Sequence, residues 1–156
     1  MTTQVGPNST DGQTLPGLHT EVTASGGATR VLTAAESGGT FLWDAASGVD
    51  FTLPAPVAGM VFNFYATVSV TSNAHAISTD AATTFLGGGL SMGIAATDTN
   101  EFQVGDETSD VTISMNGSTT GGLEGTSIEV VALSSTVWVA RNSTVVGSGA
   151  LATPFA

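Results

Sequence analysis

The sequence predicts an all-β domain, a single jelly-roll-like sandwich or barrel with an extended N-terminal arm. Three observations carry that expectation. About ten short runs rich in Val, Ile, Thr and Phe are separated by turns containing Gly and Ser. No segment sustains a 3.6-residue apolar period between helix caps. Mean hydropathy is +0.29 and only 10% of residues are charged, whereas disordered chains combine low hydrophobicity with dense charge. A chain of 156 residues fits one domain and is long enough to bury a core.

Residues 1–28 are polar and rich in Gly, Ser and Thr, with Pro7, Pro16 and Gly26-Gly27. They read as the arm, ordered only where something holds it, with Leu15 and Leu18 as a local anchor. The β domain is expected over 29–144. Its first runs are Arg30 to Ala34 and Thr40 to Trp43, broken by Ser37-Gly38-Gly39. Val49, Phe51 and Leu53 then alternate onto one face, and Pro54-Ala55-Pro56 ends that run, because Pro cannot donate to a ladder.

Met60 to Val70 carries the clearest period of two. Phe62, Phe64, Ala66, Val68 and Val70 share a face opposite Asn63, Thr67 and Ser69, so one side is buried. Ala74 to Thr79 is a weaker strand. Phe85-Leu86 leads into Gly87-Gly88-Gly89, a bend or a close backbone approach. Glu101 to Val104, Asp110 to Met115, Ser127 to Leu133 and Thr136 to Ala140 complete the series. Asn116-Gly117 is a turn signal within a longer loop. No internal repeat marks a solenoid. The tail 145–156, VVGSGALATPFA, is apolar without a partner strand, which predicts docking on a neighbouring surface or another subunit through Phe155.

Charge excludes several functions. Thirteen acidic residues face two basic ones, Arg30 and Arg141, with no Lys and a net charge of −11. Such a chain repels nucleic-acid phosphate and anionic membranes. With no Cys, disulfides and thiolate metal sites are ruled out. Met1 to Pro7 lacks the basic and apolar regions of a secretory signal, and no apolar run approaches a membrane span.

Candidate chemistry is sparse. A Ser-His-Asp site needs an activated nucleophile and an oriented base. The two histidines, His19 and His75, have no Gly-x-Ser-x-Gly elbow to serve. Asp98, Glu101, Asp106, Glu107 and Asp110 cluster in sequence. They read as a solvated loop in preference to a carboxylate pair or a Ca²⁺ site, the spacing being unlike an EF-hand. No metal, cofactor or catalytic residue is therefore assigned. Trp43, Trp138 and Tyr65 read as core or interface rather than a sugar platform. Arg30 and Arg141, scarce cations among many acids, are expected to pair with carboxylates within the subunit or across an interface.

The segment Ser37 to Phe64, SGGTFLWDAASGVDFTLPAPVAGMVFNF, resembles a pattern in structural proteins of tailed phages. It comprises a turn, two short strands, Leu53-Pro54-Ala55-Pro56, then Ala58-Gly59 and an aromatic strand. Ala152-Thr153-Pro154-Phe155 also looks like the tail of such chains. The family is that of capsid decoration (cement) proteins. Membership implies a jelly-roll-like body, a homotrimer over capsid threefold positions, and an arm laid on the shell. It implies the major capsid protein as partner and the virion's outer surface as location, after synthesis in the host bacterial cytoplasm. Leu15, Leu18, Arg30, Arg141 and Phe155 are the candidate partner-binding residues. The alternatives are a head- or tail-fibre module binding a host glycan and, more distantly, a cell-wall hydrolase.

Overall fold

The computed structural model describes residues 20–23 (backbone only), 29–94 and 96–156. Among the described residues eleven strands run in chain order: β1 (Thr20–Thr23), β2 (Thr29–Val31), β3 (Thr40–Trp43), β4 (Asp50–Thr52), β5 (Val61–Ala66), β6 (His75–Ser78), β7 (Phe85–Ile94), β8 (Thr99–Gly105), β9 (Thr112–Met115), β10 (Ser127–Ala132) and β11 (Val137–Gly147). One 3-10 turn, Ala34–Glu36, separates β2 from β3. The chain is all-β and forms a two-sheet sandwich. A seven-stranded sheet in the order β1-β3-β5-β10-β11-β7-β8 packs on a four-stranded sheet in the order β2-β4-β6-β9.

The first half is a winding rather than the antiparallel Greek keys of a jelly roll. Successive strands alternate between the sheets, and each pairs in parallel with the strand two ahead. Thr20 lies opposite Thr40 and Thr40 opposite Asn63 in one sheet; Thr29 lies opposite Asp50 and Asp50 opposite Ala76 in the other. The connections differ in length and residue type, so this winding leaves no repeat in the sequence. The second half closes the sandwich with antiparallel pairs, β5 with β10, β10 with β11, β7 with β8 and β6 with β9, plus one parallel pair, β11 with β7.

Alternation places the core as expected. Phe62 and Phe64 from β5, Val49, Phe51 and Leu53 around β4, and Ile113 and Met115 from β9 are buried. Phe64 is the hub, with ring centroids 5.7 Å from Phe41, 5.4 Å from Trp43 and 5.4 Å from Phe51. Phe51 belongs to the smaller sheet and the others to the larger, so this cluster joins the two layers.

Gly87-Gly88-Gly89 is a close approach, not a bend, and β7 runs through it. A Cβ on Gly87 would lie 2.2 Å from Glu107 Cγ, and one on Gly89 would lie 2.2 Å from the Phe102 ring. Gly88 has φ +90°, and a Cβ there would sit 2.2 Å from the Ala140 carbonyl oxygen of β11. Backbone cannot yield as a side-chain tip can. Gly88→Ala is therefore expected to cost about 3 kcal/mol or more. Gly93→Ala in the same strand meets the Asn100 Oδ1 side-chain tip at 3.1 Å and Thr99 O at an ordinary 3.8 Å and is expected to cost less than about 1 kcal/mol. Urea unfolding of both variants tests the contrast, and equal losses would contradict it.

Several strand ends differ from expectation: β5, expected over Met60 to Val70, ends at Ala66, and the run Arg30 to Ala34 is a strand only to Val31. β1 lies within the stretch assigned to the arm, and its backbone pairs with β3; the rest of 1–28 lies outside the described residues. At the other end, β11 passes 144 and continues to Gly147. It does so by a bulge, the register shifting between Ala140 and Val145 around the polar residues Arg141, Asn142 and Ser143.

The tail docks on its own body, which corrects the expectation of a neighbouring surface. Ala156 O accepts from Val111 N at 2.7 Å and Thr112 N at 2.9 Å, and Pro154 O accepts from Ser114 N at 2.8 Å. Phe155 bridges Ile113 and is 6% exposed, its ring against Gly105. An open β9 edge and an apolar slot beneath it supply the partner that the sequence did not display.

Candidate functional site

His75 is a core residue. It is fully buried on β6, its ring stacks on Trp43 at 5.6 Å, and Nε2 lies 2.9 Å from the Val68 carbonyl. A carbonyl only accepts, so Nε2 carries the proton and Nδ1 is the lone-pair nitrogen. Nδ1 has no hydrogen-bond partner among the described residues. Burial pushes the imidazole below its ordinary value; the Val68 bond and the Asp44 carboxylate oppose this only in part. His19 lies outside the described residues.

That shift has a pH consequence. The unfolded chain takes up a proton on His75 near pH 6.5 while the folded chain resists it, so the unfolded state binds more protons in that window. Stability is expected to fall as pH drops below about 6.5 towards the depressed folded value. His75→Phe keeps a ring on Trp43 and removes the titration. Urea midpoints at pH 7 and pH 5 should converge in the variant, and an unchanged slope would assign the effect elsewhere.

The acidic stretch does not converge. Among the described residues no three His, Asp or Glu side chains meet as a metal site would require. Asp106 closes its own turn, accepting from Thr108 N at 2.8 Å, Thr108 Oγ1 at 2.5 Å and Ser109 Oγ at 3.1 Å. These bonds, Thr108 foremost, hold its carboxyl below the usual range. Glu107 covers Gly87. Asp50 shifts the other way, raised by burial despite a 3.0 Å bond from Ser78 Oγ.

Both described arginines pair within the subunit. Arg30 Nη2 lies 2.5 Å from Glu36 Oε1 and its guanidinium carbon 5.5 Å from the Phe41 ring centroid. Glu36 Oε2 in turn accepts from Thr33 N and Oγ1 at 2.7 and 2.8 Å. Arg141 donates to Glu129, directly opposite it on β10. Its side chain is 54% exposed, and exposed pairs contribute little. Arg141→Ala is expected to lower stability by less than about 1 kcal/mol, read from thermal or urea unfolding; a larger loss would mean packing beyond this pair. Leu15 and Leu18 lie outside the described residues, and Phe155 is buried as described above.

Trp43 and Trp138 are fully buried, leaving Tyr65, 45% exposed, as the accessible member of that aromatic set.

A further feature is open to a partner at the β8 edge. β8 is the last strand of the larger sheet, and Thr99, Asn100, Glu101, Phe102 and Val104 are all exposed. Phe102 and Val104 are 66% and 68% exposed. Opposed residues share a face. The pairs Ser91–Phe102 and Gly89–Val104 therefore mark one face, and Met92–Glu101 and Leu90–Gln103 the other. Beside them a groove of about 640 Å³ has Met92, Ile94, Val145, Val146, Asp98 and Glu101 among its lining residues. The alternation of Glu101, Phe102, Gln103 and Val104 could have signalled an edge strand. Phe102 alone, among polar neighbours, did not.

Comparison with family models, curated proteins and solved structures gives no match. Among the described residues no helix is long and apolar enough to cross a membrane.

Proposed function

We propose that this chain is a structural virion protein, a decoration protein that binds and stabilises the major capsid protein shell of a tailed phage from its outer surface, as a homotrimer. The observation that carries the reading is the segment Ser37 to Phe64, through its resemblance to such proteins. In the fold this segment supplies β3, β4 and most of β5, and with them Phe41, Trp43, Phe51, Phe62 and Phe64 of the core. The resemblance thus covers strands that contribute to the core, not a peripheral loop. An acidic surface suits a protein that must stay soluble before assembly and avoid the packaged nucleic acid. The glycan-binding alternative keeps only Tyr65 of its three aromatics at the surface, so it is not pursued.

Co-sedimentation with empty phage shells, paired with native mass spectrometry, tests this. A trimer that pellets with shells and raises their melting temperature is the expected result. A chain that stays in the supernatant with every shell type tried would remove the reading.

A further inference from the structure

The geometry points to β8 as an acceptor edge for an extended polypeptide strand that alternates apolar residues with Lys or Arg, donated by a different protein. The two sheets have four terminal strands, and three of them are short or covered. β1 has 4 residues and β2 has 3, and β9 is covered by Pro154 to Ala156. β8 has 7 residues, pairs with β7 without a register shift, and has no strand on its outer side among the described residues. Natural sheets blunt long edges with Pro, Lys, bulges or covering segments. β8 has no Pro, no bulge and, among the described residues, no covering segment; its one charge is Glu101, on the face of Met92, so its outer row of backbone donors and acceptors is a template for strand addition by a partner that can meet that charge.

The two faces of β8 dictate the side chains of the donor. On one face an added residue would lie beside Phe102 and Val104, which are exposed and apolar. On the other it would lie beside Glu101. Glu101 Oε2 accepts from Gln103 Nε2 at 3.0 Å, and among the described residues no cation pairs with it. Strand side chains alternate between faces, so the complementary donor reads apolar, basic, apolar, basic. The groove beside Ile94 and Val146 gives one larger donor side chain a place to lodge.

A second copy is a poor donor. This chain has no Lys, and Arg30 and Arg141 already pair with Glu36 and Glu129. Pairing β8 with β8 would join two apolar faces but bring the Glu101 side chains together, between molecules that each carry a net charge of −11. The inference stands on this surface alone; under the capsid reading the donor would be a segment of the shell subunit.

The test uses the full chain and synthetic peptides about ten residues long, long enough to span one strand. One series alternates Val or Ile with Lys and Thr. A second replaces Lys by Glu. A third N-methylates alternate amides of the Lys peptides. Expected are increased hydrogen-exchange protection of Thr99–Gly105 by the Lys peptides, weakening with added salt, at least tenfold weaker binding of the Glu peptides, and loss of binding on methylation. Glu101→Lys should reverse the charge preference. No protection of β8, equal binding of Lys and Glu peptides, or self-association through β8 without peptide would each overturn the proposal. Peptide binding without shell binding would retain this inference and remove the capsid reading.

Discussion

Phe64→Ala is expected to destabilise the fold by about 3–5 kcal/mol, the range for truncating a fully buried aromatic. Domains of this kind have about 5–15 kcal/mol in total, so the variant should sit near the edge of folding at room temperature. The site gives the reason for the upper half of the range. Phe64 is fully buried and touches three rings, and one of them, Phe51, belongs to the opposite sheet. Removing it opens a cavity at the inter-sheet contact, in a strand held between β3 and β10. Ring pairs add about 0.5–1.5 kcal/mol beyond area burial. Phe64→Leu keeps most of the volume and should cost well under half as much. Urea unfolding followed by Trp fluorescence reads both, since Trp43 stacks on Phe64 and reports its loss directly. Similar small losses for the two variants would mean that the cluster repacks and does not set the inter-sheet distance.

The same cluster shows what sequence can and cannot display. Alternation is local, so the strands and their buried faces were legible: Phe62 and Phe64, Val49, Phe51 and Leu53, Ile113 and Met115 all point inward as their period of two requires. Pairing is not local. Nothing in residues 29–31 announces that they lie in parallel beside 50–52, because a parallel partner is chosen by the route of the connection and not by a turn motif. The all-β sandwich expected from ten short strands is the fold found; what differs from a jelly roll is that β1 to β6 wind in parallel. Gly87-Gly88-Gly89 was readable as a close approach, but its cause, the β11 backbone at Ala140 and the side chains of Glu107 and Phe102, comes from elsewhere in the chain. Arg30 and Arg141 stood out as scarce cations, and both find carboxylates within the subunit. The β8 edge stayed hidden for the opposite reason. Its significance is that nothing among the described residues pairs with it, and sequence patterns mark what pairs more readily than what does not.

Phe155→Ala carries the second large effect, about 3–5 kcal/mol by the same truncation rule, and it separates two roles that the sequence left together. As a partner contact, Phe155 would be dispensable to the isolated chain, and its loss would show only in assembly. In the fold it is 6% exposed, lies against Gly105 and bridges Ile113. Its segment also satisfies the backbone of Val111, Thr112 and Ser114 along the β9 edge. Truncation should therefore lower the unfolding midpoint of the isolated chain. Deleting residues 152–156 should do so at least as strongly, because it also leaves those edge amides without protein partners. The deletion opens a second strand edge, so concentration-dependent association should rise with it, visible by light scattering. Phe155→Leu, which refills most of the slot, should restore the midpoint to within about 1.5 kcal/mol. A Phe155→Ala chain that unfolds like the parent but no longer assembles would reverse this assignment and return the tail to the role of a free arm seeking a partner.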